Sequence, residues 1–226
     1  MVALSEVPIN SLTWTMGSLS SLMLGYRSFT NYHTSKNELS KYLGWFGVSI
    51  GIGLVLLAVP SFFTLNTDTL RHTYLTAEFF IYSSAVAQVT VVWCLMLRSY
   101  IPVYFVTVPV AAVSLVSWLY SLPRSTLHIA DRFIIYRDPP ASTIAIGVLL
   151  FGLFMPVGIY FLHSAAKQIR LKARLTSLVF GLVYVGIGAL TGGVELVAGQ
   201  VITPITAVGD LAFFAGMLAV MLWPRR

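Results

Sequence analysis

Seven apolar stretches constrain this chain more than any other feature of its sequence. Each is long enough to cross about 30 Å of hydrocarbon, because a helix rises about 1.5 Å per residue. They lie near residues 9–26, 42–63, 73–97, 103–122, 142–166, 175–198 and 203–222. The sequence therefore predicts an all-α membrane protein, a seven-transmembrane-helix bundle that forms a single domain over residues 1–226.

Lipid must be the solvent for much of the surface, because the chain has more apolar side chains than one core can bury. Apolar residues make up 57% of the sequence and charged residues 10%, whereas soluble domains carry about 25% charged residues. The net charge is +6. Since most basic residues lie at helix ends on one side, we attribute this excess to membrane topology and predict no nucleic-acid binding.

The distribution of lysine and arginine predicts the orientation. With seven spans, ten basic residues fall on one side of the membrane, namely Arg27, Lys36, Lys41, Arg98, Lys167, Arg170, Lys172, Arg174, Arg225 and Arg226. Four fall on the other side, namely Arg71, Arg124, Arg132 and Arg137. The positive-inside rule then puts the N-terminus outside and the C-terminus in the cytoplasm of a multi-pass cell (inner) membrane protein. We expect no removable signal peptide, because no basic region precedes the first apolar run.

Three acidic residues, Glu78, Glu195 and Asp210, lie inside apolar spans. A carboxylate at membrane depth costs about 2.5–3.5 kcal/mol on insertion scales. Helical rise puts the three roughly 8, 6 and 10 Å below the outer surface, respectively, which is one layer of the bundle. Two interpretations stay open: a site for a ligand, cation or proton, or protonated and hydrogen-bonded acids that lock helices together.

Helical spacing predicts which faces point inward. One face of the sixth helix carries Gly188, Gly192, Glu195 and Gly199. One face of the seventh carries Thr203, Thr206 and Asp210, and Thr203 is its expected N-cap. One face of the third carries Tyr74, Glu78, Tyr82 and Ala85, with Gln88 one turn deeper. Small residues at this spacing allow close helix packing. These faces predict a small polar cavity that opens outward, with Glu78, Tyr82, Glu195 and Asp210 as its ligand-binding residues.

The first helix and the outer loop have distinct compositions. Six hydroxyl residues make the first span polar, so we expect it to pack against protein rather than lipid. In the loop at 123–141, apolar Ile129 and 133–135 alternate with charged residues, which predicts a short amphipathic element lying on the bundle mouth. Pro139 and Pro140 are expected to end this element and start helix five. Inspection finds no repeat between helices 1–3 and 5–7.

The sequence contains no motif for an enzyme. It has no GxSxG nucleophile, HExxH or P-loop motif, and its four histidines share no helix face and no depth. We therefore expect no catalytic residues, no metal site and no cofactor. The basic loop at 167–174 is expected to attract anionic lipid, with a cytoplasmic signalling partner as the alternative.

Helices four to seven span about half of the chain and carry a resemblance in four short segments: YIPVYFVTVPV, PRSTLHIADRF, KQIRLKARLTSLVFG and VITPITAVGDLAFFAGML. With them, helices four to seven resemble the seven-helix membrane sensor region at the N-terminus of some prokaryotic histidine kinases. The resemblance implies a ligand- or membrane-sensing module whose signal leaves through helix seven. Since the sequence ends at Trp223-Pro224-Arg225-Arg226 with no kinase or coiled coil, we expect a separate output partner or a standalone relative.

The chain is also similar to microbial rhodopsins in size, helix count and orientation. Asp210 lies where the last helix of a rhodopsin could hold a counter-ion carboxylate. A retinal Schiff base needs a lysine about one turn further on, and Phe214 stands there instead. The similarity therefore implies a rhodopsin-like bundle without covalent retinal.

Together these patterns predict a sensor or receptor-like binding module for an unknown small ligand or cation. In this hypothesis the loop at 123–141 covers an outward cavity, and the module has no output domain of its own. The alternatives are a small transporter or ion/proton channel that uses the same carboxylates, and a rhodopsin-fold protein without covalent retinal.

Overall fold

The computed structural model describes residues 7–130, 132–193 and 204–222. This part of the chain forms seven helices and one β-hairpin: α1 Ile9–Ser35, α2 Glu38–Phe63, α3 Thr67–Val92, α4 Tyr104–Ser121, β1 Thr126–Ala130, β2 Phe133–Arg137, α5 Pro140–Lys167, α6 Leu171–Gly186 and α7 Pro204–Leu222. Two helices continue as a π-helical turn, α3 through Trp93–Leu97 and α6 through Ile187–Gly192.

Five of these helices are long and apolar enough to cross a membrane. They are α2, α4 and α5, together with α3 and α6, each of which includes its π-helical turn. In α7 the described apolar stretch is the shorter Ala207–Ala219. These lengths and compositions fit an all-α, multi-pass membrane bundle, as the sequence predicted. Seven spans, the outward N-terminus and the particular membrane stay predictions.

Six of the seven described helices form a closed ring, and α4 lies outside it. Neighbouring contacts run from α1 to α2, α3, α5, α6, α7 and back to α1, while α4 packs only against α3 and α5. The buried residues of α4 are three serines on one face, Ser114, Ser117 and Ser121. Most of its other side chains are apolar and exposed, as expected for a helix in contact with lipid, while the indole nitrogen of Trp118 donates to the backbone oxygen of Leu75 in α3.

The polar helix α1 packs inside the bundle, so the prediction that its hydroxyl groups face protein is confirmed. Ser61 of α2 donates a hydrogen bond to the Ser11 hydroxyl at 2.7 Å. Thr13 donates to the backbone oxygen of Ala207 in α7 at 2.9 Å. A hydroxyl that bonds across helices avoids the cost of an unpaired polar group in an apolar environment.

Glycines allow α1 and α2 to pack with their backbones in close contact. A methyl group on Gly25 would lie 3.0 Å from the backbone nitrogen of Val48 and 3.2 Å from the backbone oxygen of Gly44. One on Gly51 would lie 3.2 Å from the backbone nitrogen of Leu22. The spacing between these helices therefore depends on the absence of side chains.

The α5–α6 pair shows the same type of close packing, although inspection of the sequence finds no repeat between helices 1–3 and 5–7. A methyl group on Gly158 would lie 2.8 Å from the backbone nitrogen of Val185 and 3.0 Å from the oxygen of Gly181. One on Gly188 would lie 3.3 Å from the nitrogen of Met155. The intervals within each helix are the same in both pairs. Three glycines and one valine, Val48 in α2 and Val185 in α6, occupy equivalent positions of the two contacts.

The long inner loop predicted at 27–41 is helical over most of its length. Helix α1 continues to Ser35, and Lys36 then takes the left-handed conformation, with φ of 56°, that ends it. The side chain of Asn37 accepts a hydrogen bond from the backbone nitrogen of Leu39 and caps α2. Polar residues ended the predicted spans too early, because the helices extend beyond their apolar stretches.

The outer loop forms the antiparallel hairpin β1–β2, with Ala130 paired to Phe133 and Thr126 to Arg137. The predicted element on the bundle mouth is therefore a β-hairpin, and part of it is buried in the bundle. Side chains alternate between faces in a strand, so Ile134 and Tyr136 point into the protein. The predicted start of α5 at the proline pair is confirmed, because Pro140 is its first residue.

Candidate functional site: a central cavity under a docked hairpin

Asn10 attaches the hairpin to the first helix. Its side-chain nitrogen donates to the backbone oxygen of Ile134 at 2.7 Å, and its side-chain oxygen accepts from the backbone nitrogen of Ile134 at 3.2 Å. The backbone nitrogen of Ile9 also donates to the oxygen of Arg132 at 2.8 Å. The start of α1 therefore pairs with β2 much as another strand would, which covers polar backbone groups of its edge.

Tyr136 is the apolar anchor of the hairpin. Only 1% of its surface is exposed. Its ring stacks on that of Tyr74 from α3, with centroids 3.9 Å apart and planes 9° apart, and Trp14 from α1 lies 6.1 Å away. Such contacts add to the free energy gained by burying a large aromatic side chain.

Asp138 joins the end of the hairpin to α3. Its carboxylate accepts hydrogen bonds of 2.5 Å from the Tyr74 hydroxyl and from the Ser125 hydroxyl. Burial raises the pKa of Asp138 above its usual range, and the hydrogen bonds from Ser125 and Tyr74 lower it in part. Arg71 of α3 holds the same connection by donating to the backbone oxygens of Leu122 and Ser125.

Glu78 lies one helical turn below Tyr74, and its side chain is buried with 1% exposure. Neither of its carboxyl oxygens makes a hydrogen bond of good geometry with a described residue. The Asp138 carboxyl group and the Ser121 hydroxyl are near enough to interact with it.

Asp138 makes the stability of the protein dependent on pH. Because its pKa is raised in the folded protein, its stabilising contribution is fully present below the unfolded pKa of about 3.9 and is lost as pH rises through the folded value. We expect the melting temperature in detergent to fall with rising pH above about 4, and Asp138→Asn to flatten this slope. Glu38→Gln, at an exposed ion pair with Arg98, is the control. An unchanged slope in Asp138→Asn would contradict this assignment.

A cavity of about 140 Å³ lies in the middle of the six-helix ring. Residues of α1, α2, α3, α5, α6 and α7 line it, and most of them are apolar. Along α5 it extends from Ile146 to Phe154, which is about 12 Å of helix. Asn10 and Tyr74, which line the cavity, also contact the hairpin, so the hairpin lies next to this end of the cavity.

Asp210 of α7 reaches the cavity from the opposite side to Glu78. Both of its carboxylate oxygens lie 3.0 Å from the hydroxyl of Thr191, which donates to them. Thr191 belongs to the π-helical turn of α6, and Ile187 of that turn also lines the cavity. Single π-helical turns inside α-helices occur frequently at functional sites. A side chain of this one is hydrogen-bonded to α7.

Of the predicted ligand-binding residues, Glu78 and Asp210 line this cavity. Tyr82 is buried beside a smaller neighbouring pocket formed by α2, α3 and α5. Glu195 lies outside the described residues, as do Gly199 and the predicted cap Thr203. Whether these residues bind a ligand stays a prediction.

The predicted inward faces agree with the structure where they are described. On α3, Tyr74, Glu78, Tyr82 and Gln88 are all buried. On α6, a methyl group on Gly192 would lie 2.8 Å from the backbone nitrogen of Phe151 in α5. Arg132 and Arg137 of the hairpin are exposed, and within the described ranges the one ion pair joins Arg98 to Glu38.

Sequence reasoning missed Asn10, Asp138 and Tyr184 as parts of the site. Asn10 and Asp138 lie at the ends of apolar stretches, where polar residues are expected and carry no special signal. Tyr184 lies inside α6, and its buried hydroxyl has no partner among the described residues. Its one available signal is a polar atom in the middle of an apolar span.

The fold and the cavity define a class, a helical bundle of the multi-pass membrane type with an internal binding-sized space. No protein-family model matches the sequence, and no curated protein is significantly similar to it. Among the described residues, no three histidine, cysteine or acidic side chains come together as a metal site would require.

Proposed function

We propose that this protein is a membrane-embedded binding module of the sensor or receptor type, with the central cavity as its ligand site. One observation carries the proposal: the cavity is shared by six helices, is lined by the acids Glu78 and Asp210, and has the hairpin bonded to one of its lining residues, Asn10. The resemblance of helices four to seven to the sensor region of histidine kinases points to the same class.

The size of the cavity supports a binding role. A void of 140 Å³ left unfilled forfeits about 3 kcal/mol of packing free energy, at about 24 cal/mol per Å³. Close-packed interiors contain few voids larger than a water molecule. A ligand that fills the space recovers these contacts, and it does so only in the conformation that forms the cavity.

The hydrogen bond from Thr191 to Asp210 offers a route for a signal. A ligand that competes for the Asp210 carboxylate releases Thr191, whose π-helical turn is then free to rewind. Because α6 and α7 meet at this bond, the ligand biases their relative position, as a population shift between two conformations requires.

The test is thermal unfolding of the detergent-purified protein with a panel of small amines, alcohols, acids and inorganic cations. A ligand at 100 times its Kd should stabilise the protein by about 2.7 kcal/mol. Asp210→Asn and Glu78→Gln should lose this response, while Asp68→Asn, at an exposed acid near the start of α3, should keep it. A panel in which no compound shifts the wild-type protein would overturn the proposal.

A transporter is the second candidate, and the repeated packing of α1–α2 and α5–α6 favours it, because many transporters are built from such repeats. The deep end of the cavity argues against it. Aromatic residues Phe46, Phe154 and Tyr184 contribute to the lining there, which makes a poor path for an ion. Flux of the bound ligand or of protons into proteoliposomes would decide for a transporter.

A further inference from the structure

The cavity has a polar end and an aromatic end. At the hairpin end its lining includes the carboxyl groups of Glu78 and Asp210 and the side chain of Asn10. At the other end lie Phe154 and Tyr184, whose ring centroids are 5.2 Å apart, together with Phe46, 5.7 Å from Phe154. The shape and chemistry of this space suit a molecule with one polar head and one flat apolar body.

The polar end carries acids without a protein cation. The one ion pair within the described residues, Arg98 with Glu38, is at exposed side chains that do not line the cavity. Thr191 is the hydrogen-bond donor to Asp210, and a hydroxyl carries no charge. A positive charge at this end must therefore come from a proton or from the ligand.

Two buried polar groups that face the cavity lack hydrogen bonds of good geometry with described residues. They are the carboxyl group of Glu78 and the hydroxyl of Tyr184, which is 2% exposed. Buried polar groups in folded proteins are nearly always paired. A ligand that enters the cavity can give a hydrogen-bond partner to each of these groups, in place of ordered water.

We infer, on the basis of the proposed function, that the ligand is a small organic ammonium ion with an aromatic or similarly flat apolar body. The ammonium group has three donors and no acceptor, which matches Glu78 and Asp210. Its flat apolar body lies among the rings of Phe46, Phe154 and Tyr184, which offer stacked or edge-on contacts to another ring. A volume near 140 Å³ is close to that of an engineered cavity, about 150 Å³, that holds benzene, so the body is one ring.

A matched series tests the ligand class. The three compounds are 2-phenylethylamine, 2-phenylethanol and phenylacetate, which share a body and differ in charge. Their Kd values are measured at pH 7 by titration calorimetry on the full chain in detergent. We expect the amine to bind at least about tenfold more tightly than the alcohol, which is a typical effect of one added charge pair, and phenylacetate not to bind.

Variants identify the charge partner and the site. Asp210→Asn and Glu78→Gln should each reduce the amine-to-alcohol affinity ratio at least about fivefold. If one of these variants fails to fold, the other still tests the charge partner. Leu150→Phe, which fills the cavity from α5, should abolish binding of every compound. This variant therefore distinguishes binding in the cavity from partitioning of the compounds into detergent micelles. Asp68→Asn should change nothing.

The outcomes separate this inference from the proposed function. If the alcohol or phenylacetate binds as tightly as the amine, and Leu150→Phe abolishes that binding, the ligand class is wrong and the cavity is still a binding site. An amine affinity that both acid variants leave unchanged would also overturn the class. If no compound in the series or in the wider panel binds, both the inference and the proposed function fall.

Discussion

Replacing Tyr136 with alanine is expected to release the β-hairpin from the bundle and to destabilise the protein by about 3–5 kcal/mol, the usual range for truncating a buried aromatic side chain. The ring is almost fully buried and stacks on Tyr74 at 3.9 Å. Losing the ring also removes its contact with Trp14 of α1. No other described side chain of the hairpin makes comparable aromatic contacts.

The measurement is limited trypsin digestion in detergent, combined with thermal unfolding. Arg132 and Arg137 are exposed residues of the hairpin, so a released hairpin is cut there more rapidly. Tyr136→Phe is the matched control, because the Tyr136 hydroxyl has no partner among the described residues. The phenylalanine variant should match the wild type. An alanine variant that resists trypsin as well as the wild type does would show that the hydrogen bonds of Asn10 suffice to hold the hairpin.

Gly47→Ala is expected to destabilise the protein by about 3 kcal/mol, at the upper end of the usual cost of overpacking. The added methyl group would lie 2.6 Å from the backbone nitrogen of Gly25 and 2.6 Å from the backbone oxygen of Ser21. Backbone atoms cannot rotate away as a side chain can, so α1 and α2 must separate. Every other contact between the two helices is weakened as a result.

Gly152→Ala provides the matched control, because a methyl group there would have no atom within 4 Å. Alanine is the better helix former, so this variant should be stabilised by about 0.5–1 kcal/mol. Thermal unfolding of both variants in the same detergent checks the difference. Equal melting temperatures for the two variants would mean that α1 and α2 do not pack closely in the membrane protein.

The second helix pair offers a test of the internal repeat. A methyl group on Gly181 would lie 2.9 Å from the backbone nitrogen of Leu162, so the same substitution there meets the same kind of obstacle. Gly181→Ala is therefore expected to lower the melting temperature in detergent to a similar extent as Gly47→Ala, and an unchanged melting temperature would contradict the equivalence of the two pairs.

The helices and the polar character of α1 were readable from the sequence for a physical reason. Lipid forces every spanning segment to satisfy its own backbone hydrogen bonds, so long apolar runs have few alternatives to a helix. Glu78 and Asp210 stood out because a carboxylate in such a run needs a special environment. Glycine spacing likewise indicated the face of α6 that packs against α5.

The hairpin and the contacts at its base were not readable in this way. Asn10 bonds to Ile134 across 124 residues of sequence, and Tyr74 bonds to Asp138 across 64. Neither side chain differs from an ordinary polar residue at a helix end until the fold brings its partner close. The same holds for Tyr184, whose hydroxyl becomes notable only because its surroundings are apolar.

The sequence by itself determined the class of protein, the approximate course of its helices and the two acids, Glu78 and Asp210, that line the cavity. Local chemistry suffices for these features, because each depends on the solvent around a single segment. The tertiary structure alone decided that six helices surround a cavity, that two helix pairs share the same glycine packing, and that the hairpin contacts Asn10 and Tyr74 at one end of the cavity. Those features depend on which distant side chains meet, and that is settled by packing of the whole chain.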